Sequence, residues 1–74
     1  MIEVYGKETG CSYCEQLKTH LDRKGVDYKY YIVGKDISRE DLLAKCEVPV
    51  RTVPVVFQNG KHIVASTADV MKMF

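Results

Sequence analysis

The strongest constraint on the fold lies in residues 1–33, where the spacing of apolar side chains changes period twice. Ile2 and Val4 alternate with Glu3 and Tyr5, the period of a short strand. Gly6 to Gly10 form a loop, and from Ser12 the pattern becomes helical. Cys14, Leu17 and Leu21 fall at i, i+3 and i+7, with Glu15, Lys18, Asp22 and Arg23 on the wet side. Gly25 stands where a glycine ends a helix. Val26 to Val33 then alternates again and is rich in aromatic and β-branched residues, which predicts a second strand. A strand, a helix and a strand in so short a stretch imply a parallel pair joined by a right-handed crossover. The chain is therefore of the α/β class. The loop before the first helix lies at the carboxyl end of the first strand, where open α/β sheets hold their ligands.

The second half predicts a different connection. Ser38 and Asp41 are spaced as a capping box, and Leu42, Leu43 and Cys46 follow as an apolar stripe. This predicts a helix of two to three turns ending before Pro49. Val53 to Phe57 and Lys61 to Ala65 read as strands, and Asn59-Gly60 between them is the dipeptide a tight hairpin turn requires. Ser66 or Thr67 caps a last helix running to Phe74. The order is β-α-β-α-β-β-α, with no linker, repeat or charge block, so residues 1–74 are expected to form a single domain. A chain of 74 residues buries only about 60% of the surface it exposes when unfolded.

Eleven basic residues against ten acidic ones leave a net charge of +1. Without a basic patch, neither nucleic acid nor an anionic membrane is an expected partner, and the tyrosines between Tyr28 and Tyr31 fit a strand with one packed face better than a base-stacking platform. The longest apolar runs are a few residues, too short for a membrane span. Glu3 interrupts what a signal peptide would need as its apolar core, so a cytoplasmic location is expected. There, three cysteines argue against a structural disulfide, and a Cys-x-x-Cys pair reads as redox chemistry or a metal site.

Cys11 falls at the start of the first helix, with Cys14 three residues on. Unpaired backbone N–H groups and the positive end of the helix dipole both favour a thiolate there, and Lys7 adds a second positive charge from the loop. Cys14, inside the first turn, is expected to be more sheltered. An exposed thiolate attacks a disulfide, and a nearby sheltered thiol then breaks the mixed disulfide that forms. A zinc site normally needs a second close pair of ligands, whereas Cys46, His20 and His62 stand singly, so no metal is expected. Cys46 continues the apolar stripe and reads as a small buried hydrophobe. His20 and His62 read as structural or surface residues.

At this point the chain resembles the glutaredoxins. The resemblance rests on Tyr5-Gly6-Lys7, the run Cys11-Ser12-Tyr13-Cys14, Thr52-Val53-Pro54, and Val64-Ala65-Ser66-Thr67-Ala68-Asp69, in family order. Thioredoxins differ in carrying a Gly-Pro pair inside the motif and a tryptophan before it. The resemblance implies a thioredoxin-like fold with a mixed four-stranded sheet and helices on both faces. It also implies glutathione as co-substrate, Cys11 as the attacking thiol and Cys14 as the resolving one. Tyr13 would line the groove, Thr52-Val53-Pro54 would form a cis-proline turn facing the cysteines, and the Val53 backbone would pair with the peptide of glutathione. Lys7 and Arg51 would hold its glycyl carboxylate. The N–H groups of Ala68 and Asp69 would seat the γ-glutamyl carboxylate, with the Asp69 side chain on the α-ammonium. The implied partners are protein disulfides, such as that of a ribonucleotide reductase, served by a monomer.

Three features depart from the family pattern. Ser12 replaces a common proline, Gly10 is inserted between Lys7 and Cys11, and Ala65-Ser66 replaces a glycine pair, which is expected to narrow the glutathione groove. The compactness of the chain is similar to that of bacteriophage glutaredoxins. Two alternatives stay open on sequence. One is a redoxin of the same fold recharged by thioredoxin reductase. The other is a dimer bridged by an iron–sulfur cluster, which serine at the second motif position accompanies in some glutaredoxins.

Overall fold

The computed structural model describes residues 1–46 and 53–74. Arg51 and Thr52, two of the predicted glutathione contacts, lie outside the described residues. The elements in chain order are β1 (Ile2–Gly6), α1 (Ser12–Arg23), β2 (Tyr28–Ile32), α2 (Arg39–Lys45), β3 (Val55–Gln58), β4 (Lys61–Ile63) and α3 (Thr67–Met73). The strands lie in the order β2-β1-β3-β4. β1 runs parallel to β2 and antiparallel to β3, and β3 pairs antiparallel with β4. This is the mixed four-stranded sheet expected, with the crossover in its first half and the hairpin in its second.

Alternation along β1 feeds two cores. Ile2 and Val4 point to one face, where they meet Leu17 and Leu21 of α1, Val56 of β3 and Val70 of α3. Tyr5 points to the other face and packs with Val55, Phe57 and Leu42 of α2. Helices thus cover both faces. A correction concerns the tyrosines of β2, which the sequence assigns to one packed face. Tyr28 and Tyr30 pack against the first core and Tyr31 against the second, where its ring stacks on Tyr5 at 5.0 Å. Successive strand residues point to opposite sides, so a run of rings must divide.

β1 runs one residue further than predicted, taking in Gly6, while β2, β3 and β4 are shorter, for identifiable reasons. The Val26 amide donates to the Leu21 carbonyl at 3.0 Å, closing the end of α1 instead of joining the sheet. Pro54 has no N–H to give a ladder, and β3 begins after it. Beyond β4 the Ala65 amide folds back on the Ile63 carbonyl at 3.1 Å. Asn59 and Gly60 have φ of 53° and 83°, as the hairpin turn demands. The serine caps form as read: Ser38 Oγ accepts from the Asp41 amide at 3.1 Å and Ser66 Oγ from the Asp69 amide at 3.2 Å. Each such cap is worth about 1 kcal/mol. His62 is buried, stacked on Phe57 at 5.2 Å. No helix among the described residues is long and apolar enough to cross a membrane.

Candidate active site

β1 ends at Gly6, and the loop that follows delivers Cys11 to the amino end of α1. Gly10 has φ of +73°, a left-handed conformation that costs a side-chain-bearing residue energy, and it turns the chain into the helix. Cys11 is the N-cap residue of α1, and its Sγ accepts the Cys14 backbone N–H at 3.2 Å. A sulfur therefore fills the role usually taken by a serine or aspartate oxygen. Cys11 and Cys14 form a disulfide with a Cα–Cα separation of 5.3 Å, inside the usual range. Cys14 is wholly enclosed while Cys11 is partly exposed, the asymmetry that sequential thiol attack needs.

Opposite the pair, Cys11 Sγ lies 3.9 Å from the Val53 carbonyl oxygen, and the Val53–Pro54 peptide is cis. In the disulfide state the sulfur has no proton to donate, so this is a contact across the site. Around it lies an open cavity of about 820 Å³. Lys7, Cys11, Tyr13, Val53 and Ala68, all expected site residues, line this one cavity. Tyr13 is 60% exposed, leaving its ring free to cover a ligand. The Asp69 amide donates to Ser66 Oγ at 3.2 Å, so that N–H serves the cap of α3.

Arg39 lines the same cavity from the first turn of α2, with Leu42 and Leu43 beside it. The sequence reading missed it. Its only local signal was a cation directly after the cap residue Ser38, and nothing local says that α2 starts at the mouth of the cysteine site. Lys7 and Arg39 thus place two cations on one cavity.

Behind the pair, Gly6 leaves no room for a side chain. A Cβ there would stand 2.8 Å from Cys14 Sγ and would run into the hydroxyl of Tyr30. That hydroxyl donates to the Lys7 carbonyl at 2.7 Å. Burial, and then the charge of Glu15, raise the phenol pKa, so it remains a proton donor at neutral pH. Cys46 is half-buried, its thiol donates to the Leu42 carbonyl at 3.3 Å, and burial raises its pKa. No group of three or more His, Cys, Asp or Glu able to hold a metal gathers among the described residues.

Thiol–disulfide exchange is what a cap-position sulfur with an enclosed partner can perform, and the sheet that holds the pair has thioredoxin-like topology; the protein is a thiol–disulfide oxidoreductase of that fold. Within that class the chain belongs to the glutaredoxin family, whose family model matches residues 2–63. It is 35% identical over 66 residues to glutaredoxin 1 of Escherichia coli (strain K12), covering 81% of this chain and 76% of that protein. It is 40% identical over 55 residues to N-acetyl-S-hydroxy-L-cysteine reductase of Bacillus subtilis (strain 168), covering 74% of this chain and 57% of that protein. The crystal structure of glutaredoxin 1 from Francisella tularensis complexed with cacodylate superposes with a TM-score of 0.67 at 24% identity, over 84% of this chain and 78% of that one, and supports the fold.

Proposed function

We propose that this chain is a dithiol glutaredoxin that takes electrons from glutathione and passes them to protein disulfides or glutathione mixed disulfides. The observation that carries this reading is the cavity that puts Cys11, Val53 and the cations Lys7 and Arg39 on one surface. In this reading the Cys11 thiolate attacks a substrate disulfide, forming a mixed disulfide and releasing one substrate thiolate, which takes up a proton. The Cys14 thiol then loses its proton and attacks Cys11 Sγ. The Cys11–Cys14 bond forms, and the second substrate sulfur leaves as a thiol. Two glutathiones restore the dithiol and become glutathione disulfide.

Glutathione would lie with its peptide along Val53 ahead of Pro54, its glycyl carboxylate toward Lys7 and Arg39, and its γ-glutamyl end toward Ala68 and the Asp69 carboxylate. Arg51 and Thr52 join this set by resemblance. A cytoplasmic monomer serving a ribonucleotide reductase fits the same reading. The test is turnover of a glutathionylated peptide and of insulin disulfides, with glutathione as sole reductant. Turnover that disappears in Cys11→Ser is expected. Turnover with thioredoxin reductase only, or a coloured dimer with bound iron and sulfide after anaerobic purification, would move the assignment to the corresponding alternative.

A second reading is favoured by the Bacillus subtilis relative, named as a reductase of an S-hydroxylated cysteine. Cys11 would attack the substrate sulfur and displace hydroxide, and Cys14 would release the reduced thiol. Comparing N-acetyl-S-hydroxy-L-cysteine with the glutathionylated peptide as substrates separates the two.

A further inference from the structure

Cys14 has a chemical difficulty that Cys11 does not. It is wholly enclosed, yet it must become a thiolate to attack the mixed disulfide. A sulfur anion out of water needs a hydrogen-bond donor or a positive charge beside it. The described residues place one such donor at the sulfur's back. The vacant Cβ position of Gly6 is 2.8 Å from Cys14 Sγ and 3.0 Å from the Tyr30 Cζ, so phenol and sulfur share the space above that glycine. β1 and β2 enforce this arrangement through their register, in which Val4 faces Tyr30 and Gly6 faces Ile32.

The phenol ring is also held in position. The Lys18 ammonium sits over its ring, 4.4 Å from the centroid, and is itself held 3.4 Å from Glu15. A cation on the ring face holds the ring in place. While the disulfide is closed, that hydroxyl donates to the Lys7 carbonyl. Rotation about the ring's C–O bond redirects the proton without moving the ring.

We propose that Tyr30 is a further catalytic residue, specific to the resolving half of the cycle: its hydroxyl turns from the Lys7 carbonyl to donate a hydrogen bond to the Cys14 thiolate as that sulfur attacks the mixed disulfide on Cys11. The proton lost by Cys14 ends on the departing thiol, the Cys11–Cys14 bond forms as the bond to the substrate sulfur breaks, and Tyr30 is neither consumed nor ionised. Lys18 is a positioning residue that acts through the ring. This inference rests on the assignment of Cys11 as attacker and Cys14 as resolver, and does not depend on glutathione.

The experiment uses the chromogenic aromatic disulfide dithiobis(nitrobenzoate) as substrate for the reduced chain in a Cys46→Ala background. Attack by Cys11 releases one coloured thiolate, and resolution by Cys14 releases the second in a separate phase. Tyr30→Phe keeps the ring and its contact with Lys18. It is expected to lower the ratio of second-phase to first-phase rate about tenfold, the contribution of a hydrogen bond to a charged acceptor. Lys18→Met, which leaves the hydroxyl in place, is expected to lower the same ratio by a smaller factor. An unchanged ratio in Tyr30→Phe, or both phases slowed equally, overturns the proposal. A first phase that survives Cys11→Ser overturns the assignment beneath it, whatever the ratio.

Discussion

The backbone N–H of Cys14 donates to the sulfur of Cys11, so the residue that is expected to attack substrate also caps the helix that carries its partner. Chemistry and secondary structure share one atom. A thiolate accepts this bond better than a disulfide sulfur does, because charge shortens and strengthens the hydrogen bond. Reduction therefore strengthens the first turn of α1 at the moment the site becomes competent.

From this relationship Cys11 in the reduced chain is expected to ionise below the ordinary thiol range, favoured by the amide, the helix dipole and Lys7. Cys46 should do the opposite, since burial raises its pKa above that of a free thiol. Alkylation against pH, resolved by peptide mass, should show Cys11 reacting at the lower pH and Cys46 only under alkaline conditions. Equal midpoints would contradict both assignments.

The Cys46 shift also has a stability consequence. A thiol whose pKa is higher in the folded than in the unfolded chain contributes stability that is complete below the unfolded value and is lost as pH rises through the folded one. Denaturant midpoints should accordingly fall from neutral pH into the alkaline range, and Cys46→Ala should remove part of that fall.

Gly6→Ala is expected to be costly, because its Cβ would meet both Cys14 Sγ and the Tyr30 hydroxyl. Overpacking of this kind costs about 1–3 kcal/mol, readable in a urea titration of the oxidised chain. Full stability in the variant would show that strand and helix can separate here at no cost.

Arg39→Gln should raise the KM for glutathione by up to about fivefold, the worth of one exposed charge pair, with kcat little changed. Added salt should weaken the native enzyme's KM more than the variant's. A salt-insensitive KM in both would remove Arg39 from the carboxylate site.

On the second face, the Lys45 ammonium donates to the Tyr5 hydroxyl at 2.8 Å and stands over the rings of Tyr5 and Phe57 at 5.0 and 5.3 Å. The bond to that hydroxyl is the main reason its pKa is raised. Lys45→Met should cost about 0.5–1 kcal/mol of unfolding free energy, despite the gain in apolar character.

Much of the architecture was readable from local pattern. The shift from alternation to a three-to-four spacing and back placed β1, α1 and β2. Ser38 and Ser66 marked the starts of α2 and α3, and Asn59-Gly60 the hairpin. These signals work because side-chain direction repeats with the backbone and because cap and turn residues bond to atoms only a few positions away. Strand ends were less legible, since whether Val26 joins a sheet or closes a helix depends on where its amide finds an acceptor.

By itself, then, the sequence determined the element order, the helix-start dithiol and the class of reaction it serves, all properties of residues near one another in the chain. Only the tertiary structure decided that Arg39 shares a cavity with Cys11, and that Tyr30 and Cys14 both crowd the vacant Cβ position of Gly6. Each of those depends on the register between β1 and β2 or on the packing of α2 against the sheet. Such contacts join residues far apart in the chain, and no local spacing encodes which of them will touch.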